Sequence, residues 1–255
     1  RGGTLIIGVY PDPVMMTSAL TSAGIAVFVS GKIFDGLVTY DFDLNPQPQL
    51  ATRWTVGGDG LSIAFTLRPG VTWHDGHPFS SADVAYSVLE IWKKYHSRGR
   101  TTFANVVAVE TPDPLTAIWR LSKPAPYIMS ALAATEAQIL PRHLYEGTDV
   151  LTNPLNNAPI GTGPFRFGAW ERGSYVTLER NPHYWDRPKP YLDQIAFRIL
   201  PDSSARAIAL ETGEIHITTS NYLPYSELDR LSKLPNLELV RRGSLYSIGI
   251  SSFEF

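Results

Sequence analysis

Proline and glycine punctuate this chain from end to end, twenty of each in 255 residues, and they cap how far any one element can run. Each proline fixes φ and removes a backbone donor, and each glycine favours a turn. The fold must therefore be built from many short elements. Between the breaks the period changes from place to place. Residues 4–9 read as a buried strand ended by Pro11-Asp12-Pro13. Residues 24–34 put Ile25, Phe28, Val29 and Ile33 on one helical face, and 37–40 return as a strand. Leu61, Ile63, Phe65 and Leu67 alternate with Ser62, Ala64 and Thr66, the pattern of a half-buried strand.

A helix is expected from Ser80, an N-cap with Asp83 three residues on, to Tyr95, with Val84, Val88, Ile91, Trp92 and Tyr95 as its apolar stripe. Hairpins are expected at 106–121, turning on Thr111-Pro112-Asp113-Pro114, and at 165–179, turning on Glu171-Arg172-Gly173. Residues 194–217 read strand, helix, strand, the helix opening at Asp202 and closing at Gly213. That unit requires part of the sheet to be parallel. The fold class is α/β with substantial antiparallel sheet, a mixed α+β arrangement. Residues 244–255 read as a strand still in progress, which points to the amino-terminal portion of a longer protein.

Composition excludes more than it names. With 22 Lys+Arg against 24 Asp+Glu, the net charge of -2 gives no electrostatic reason to expect nucleic acid. No apolar run is long enough to span a bilayer. Cysteine is absent, which removes disulfides, thiolate catalysis and sulfur-based zinc sites. No signal peptide precedes the first strand, so any export segment would already have been removed. There is no Walker A loop, dinucleotide fingerprint or nucleophile elbow. The run Trp73-His74-Asp75-Gly76-His77 offers His74, Asp75 and His77 as metal donors. Near-consecutive residues in a turn point apart, so a polar turn is the better reading and no metal or other cofactor is expected. Glu211 and Glu214 are paired carboxylates where a helix ends, and an exposed face accounts for them.

Function enters through ordered blocks: ATRW at 51–54, DG at 59–60, FTLR at 65–68, GVTWHDG at 70–76, PF at 78–79 and ADVAYS at 82–87. With FDGLV at 34–38, IGTGPF at 160–165, NPHYW at 181–185, DSSAR at 202–206 and ETGE at 211–214, the chain resembles family 5 solute-binding proteins of oligopeptide, dipeptide and nickel importers. The resemblance runs from Thr4 to about residue 250. It implies a periplasmic-binding-protein-like lobe, made by residues 1–40 and 160–255, with an inserted subdomain at 41–159 and the second lobe absent. It also implies an extracytoplasmic protein, periplasmic or membrane-anchored. Such a protein would be monomeric and would deliver a peptide or other small molecule to the membrane permease of an ABC transporter without catalysing a reaction. Thr21, Ser22, Ala23 and Gly24, before the first helix, are implied to line the cleft. So are Thr219, Ser220, Asn221 and Tyr222 after the βαβ unit, with Glu136 and Gln138 as further candidates. Nickel-binding relatives carry an arginine near the position of Ala137, which favours a peptide here. A regulatory ligand sensor of the same fold is the alternative, although no helix-turn-helix or basic stripe is present.

Overall fold

The computed structural model describes residues 2–218 and 223–240. Two four-stranded sheets organise it. The first is built from β1 (Thr4–Val9), β8 (Phe165–Glu171), β9 (Tyr175–Arg180) and β10 (Gln194–Ile199), in the order β1-β10-β9-β8. β1 and β10 are parallel and the other pairs antiparallel. After β10 the chain forms α5 (Ser203–Glu211), capped by the Asp202 carboxylate on the Ala205 amide, and Gly213 ends it at φ +76°. The chain then returns along the free side of β1, where Ile217 bridges Ile7 in parallel. The expected strand–helix–strand unit is present, its last strand reduced to that bridge among the described residues.

The second sheet is formed by β4 (Ala51–Val56), β5 (Ser62–Leu67), β6 (Val106–Asp113) and β7 (Thr116–Leu121), in the order β4-β5-β7-β6. β5 buries Ile63, Phe65 and Leu67 as the alternation requires, while Leu61 lies outside the strand and stays 37% exposed. β6 runs on through Pro112, where a turn was expected. It is an edge strand with a bulge between Glu110 and Asp113, so the missing proline donor breaks no ladder. A small hairpin, β2 (Val38–Tyr40) with β3 (Pro46–Pro48), lies between the sheets in sequence.

Helices are short, as the punctuation demands. α1 (Gly24–Ser30) stops before Phe34, although Ile33 and Phe34 remain buried. The helix expected to Tyr95 divides into α2 (Ser81–Tyr86) and a π-helical stretch, Ser87–Trp92. The wider turn follows from what docks on it. Ser87 Oγ accepts from the Leu140 amide at 2.9 Å, and Trp92 Nε1 donates to the Gln138 carbonyl at 2.8 Å. Trp92 thereby reaches Phe103 and Trp119, with ring centroids 4.9 and 6.2 Å away. Two further short helices, α3 (Gly99–Thr102) and α4 (Arg142–Tyr145), and α6 (Tyr225–Leu231) complete the set named here.

The signature blocks meet at one buried carboxylate. Asp35, from the 34–38 block, is 1% exposed. It accepts from Trp185 Nε1 (2.8 Å), Tyr184 OH (3.2 Å), Gln49 Nε2 (2.7 Å) and Thr162 Oγ1 (3.5 Å). Burial pushes its pKa up to about 6, and the four donors oppose that rise. Beside it the 160–165 block passes so close to the α1 exit that a Cβ on Gly161 would lie 2.0 Å from the Ile33 carbonyl oxygen. Only glycine permits that approach.

Candidate functional site

Open α/β sheets bind ligands outside the carboxyl ends of their parallel strands. Here that edge is the exit of β1 at Tyr10, which is 43% exposed, together with the segment after β10 and Thr218 after the Ile217 bridge. The chain leaving β1 is pinned step by step. Asp12 accepts from Trp170 Nε1 and the Gly173 amide, both at 2.9 Å. The Met16 amide donates to the Asn156 carbonyl at 2.7 Å. Met16, Thr17, Ser18 and Ala19 are then fully buried.

From this anchored stem Thr21, Ser22, Ala23 and Gly24 emerge as a short loop, with Ser22 and Gly24 exposed and Thr21 and Ala23 half-buried. Thr21 Oγ1 accepts from the Ala23 amide at 3.2 Å and sets the loop's turn. A Cβ on Gly24 would meet nothing within 4 Å, so the space in front of this residue is open. Ser22 Oγ accepts from Ser97 Oγ at 3.3 Å, which ties the loop to the turn after the π-helical stretch.

Gln138 sits behind the loop. It is 0% exposed, and its amide is committed to the protein: Oε1 accepts from Thr17 Oγ1 (3.0 Å) and the Ser18 amide (2.8 Å), while Nε2 donates to Ser30 Oγ (2.7 Å). The expected cleft-lining residue is thus a clamp holding the loop stem onto α1. Glu136 is 7% exposed and pairs with Arg98, Nη2 to Oε1, at 2.5 Å. Burial raises the Glu136 pKa, and the Arg98 charge opposes it. Thr219, Ser220, Asn221 and Tyr222 lie outside the described residues.

Sequence reasoning passed over His96, Ser97 and Arg98, because a polar turn after an apolar helix carries no periodicity. His96 is 1% exposed, and burial first, the Arg98 charge second, push its pKa down to about 4. Its ring is therefore neutral at neutral pH. Nδ1 accepts from the Gly99 amide at 2.8 Å, which leaves the proton on Nε2.

The tryptophan–histidine–aspartate turn divides its polar groups between the backbone at 161–163 and His143. His74 accepts the Gly161 amide on Nδ1 and gives Nε2 to the Gly163 carbonyl. Asp75 meets His143 Nε2 at 2.7 Å, and His77 stacks on His143 with centroids 4.1 Å apart. Among the described residues no group of three His, Cys, Asp or Glu is placed to hold a metal ion. Nor is any helix there long and apolar enough to cross a membrane.

Comparison with known proteins agrees with this architecture. The chain is similar to the oligopeptide-binding protein AppA of Bacillus subtilis, 27% identical over 94% of this chain and 44% of that one. It matches the structure of that protein with a nonapeptide at a TM-score of 0.82, over 91% of this chain and 46% of that one. The glutathione-binding protein GsiB of Salmonella paratyphi A is 31% identical over 94% of this chain and 45% of its own length. NikZ from Campylobacter jejuni, solved with Ni(L-His), superposes with a TM-score of 0.80 at 30% identity, covering 90% of this chain and 45% of that one. The chain thus spans just under half the length of the relatives it matches. The model of bacterial extracellular solute-binding proteins, family 5 Middle, matches residues 45–252. That is well over half of the chain, which belongs to the family 5 bacterial extracellular solute-binding proteins.

Proposed function

We propose that this chain forms one wall of the ligand cleft of an extracytoplasmic protein that delivers a peptide to the membrane permease of an ABC importer. The observation carrying this reading is the loop Thr21 to Gly24: Ser22 and Gly24 are exposed, yet the stem that leads to them from the carboxyl end of β1 is held by Asp12, Met16 and Gln138. A rigid stem with an open tip is what a cleft wall needs, since a pre-ordered surface loses little entropy on binding. A peptide is favoured as ligand because the curated relatives reported above are named for an oligopeptide and for glutathione. Extended peptides give affinity through backbone contacts, which suits a loop ending in an unobstructed glycine.

In this reading residues 1–40 and 160–255 form lobe one, and 41–159 an inserted subdomain. The sheets support the division: the first draws its strands from both flanking segments, and the second lies wholly between Ala51 and Leu121. The β2–β3 hairpin straddles the boundary at residue 40. Thr219 to Tyr222 would extend the wall beside Thr218, whose hydroxyl donates to the Gly8 carbonyl at 3.0 Å. The protein acts as a monomer, outside the cytoplasm, and binds its ligand without turning it over. Ligand binding shifts it toward a closed state that the permease recognises, by as much as affinity differs between the states. Native mass spectrometry of the full-length protein, purified with its ligand, tests this directly. A bound peptide mass is expected. Release of a chemically altered product on incubation would overturn the transport reading in favour of an enzyme.

A further inference from the structure

Hydrogen-bond donors outnumber acceptors around Arg98. The guanidinium makes one contact with Glu136, through Nη2, and its Nε–H is buried without an acceptor. The neutral His96 carries its proton on Nε2, also buried without an acceptor, in a residue only 1% exposed. The Thr135 hydroxyl, next to Glu136 in sequence, is likewise buried and unpartnered. The 98–136 ion pair draws these two turns together, and Ser97 joins them to Ser22. Buried donors left unmade cost free energy, so this corner is short of acceptors, and the solvent-facing part of Arg98 is where a ligand could bring one. Arg98 is also the open end of the pair, its side chain 40% exposed against 9% for Glu136. A guanidinium held on one side by a buried carboxylate keeps terminal N–H groups for a second carboxylate on its open side, the Nε–H being buried.

We propose that Arg98 is a specificity-determining residue that takes a carboxylate of the bound ligand on its exposed face, while Glu136 holds it from the buried side. This rests on the solute-binding reading above. It makes a distinctive demand on the ion pair. An incoming carboxylate is attracted by Arg98 and repelled by Glu136, so neutralising the two must shift affinity in opposite directions. A purely structural ion pair moves both variants the same way.

The test uses the full-length protein, stripped of endogenous ligand by unfolding and refolding. Calorimetry is run with glutathione and tri-L-alanine, and with the carboxyl-terminal amide of tri-L-alanine. The wild type is expected to bind an acid probe and to prefer tri-L-alanine over its amide by at least about tenfold, one factor of ten being 1.4 kcal/mol. Arg98→Gln should abolish that preference, acid binding falling to the level of amide binding. Glu136→Gln should tighten acid binding several-fold. If Arg98→Gln fails to fold, Arg98→Lys decides, since it keeps the charge but not the guanidinium and should lose several-fold of the preference. Arg98 and Glu136 variants that weaken binding together, or an acid preference that survives at Arg98, overturn the proposal and leave the transport reading standing. A wild type that binds none of the probes overturns both.

Discussion

Asp35 and Glu136 are both buried carboxylates in the same chain, and they are treated differently. Asp35 has four donors around it, drawn from three separate segments, and nothing left to offer. Glu136 has one partner, and that partner is itself half open to solvent. Asp83 falls between them: it is 5% exposed and accepts from the Ser80 amide, the Ser80 hydroxyl and the Arg142 amide. The gradation separates carboxylates that fasten the fold from one whose partner stays open to solvent. Removing the first strands several buried donors at once, and removing the last strands one guanidinium that water can reach.

The largest effect expected is therefore at Asp35. Asp35→Ala leaves Trp185 Nε1, Gln49 Nε2 and the Tyr184 hydroxyl without their acceptor, and should cost about 3–5 kcal/mol in denaturant unfolding. Glu136→Gln should cost less than about 1 kcal/mol, because Arg98 is partly solvated. Equal losses at the two sites would erase the distinction and make Glu136 another fastener.

The pH dependence sharpens the comparison, because the buried groups pull in opposite directions. Asp35 is raised to about 6, so its contribution is fully present below the unfolded value near 4 and is lost as pH climbs through 6. His96 and His74 are both lowered to about 4 by burial. Their contribution is fully present above the unfolded value near 6.5 and is lost as pH falls toward 4. For Asp35 and His96 each shift amounts to at most about 3 kcal/mol. Stability measured from pH 4 to 7.5 should lose its downward Asp35 component in Asp35→Asn and its acid-side loss in His96→Gln. An unchanged slope in Asp35→Asn would show that Asp35 is ionised in the fold throughout this range.

A smaller effect is expected at the start of α2. Ser80→Ala should cost about 1 kcal/mol, the usual worth of an N-cap. Asp83→Ala should cost about 2 kcal/mol, because the Arg142 amide loses its partner as well. Chemical denaturation of the two variants places Asp83 on the scale between Asp35 and Glu136, and ligand affinity should not move in either.

What the sequence disclosed follows the same divide. Periodicity located β1, β5, the hairpins and the βαβ unit, because each is encoded by neighbours in the chain. It overran at Tyr95, since the π-helical stretch answers to Leu140 and Gln138, some fifty residues downstream. It stopped short at Pro112, because edge position is a property of the sheet. Resemblance found the blocks around Asp35 without revealing that they share one carboxylate. Thr21 to Gly24 was legible as the loop before the first helix, but the Gln138 clamp was not: nothing local distinguishes a buried glutamine that holds a loop from an exposed one that faces a ligand. His96 and Arg98 carry no motif, and only their unpartnered atoms draw attention to them.

The smallest perturbation of the fold is expected at Gly24, where the two kinds of region can be told apart by one substitution. A Cβ there meets nothing within 4 Å, and the residue opens α1 in an exposed position. Valine is a somewhat better helix residue than glycine and narrows the unfolded ensemble, so the ligand-free melting temperature of Gly24→Val should barely change. Gly161 is the opposite case, with the Ile33 carbonyl oxygen only 2.0 Å from where a Cβ would stand, and Gly161→Val should fail to fold normally. In the full-length protein, Gly24→Val should nevertheless weaken ligand binding by about tenfold. A branched side chain would occupy the open space into which a peptide backbone approaches, and one displaced backbone contact is worth about 1.4 kcal/mol at that ratio. Thermal unfolding without ligand, set beside calorimetric affinity, reads the two quantities separately. A variant that melts normally and binds normally would remove the loop from the cleft wall. One that melts early with intact affinity would assign Gly24 to the fold, alongside Gly161.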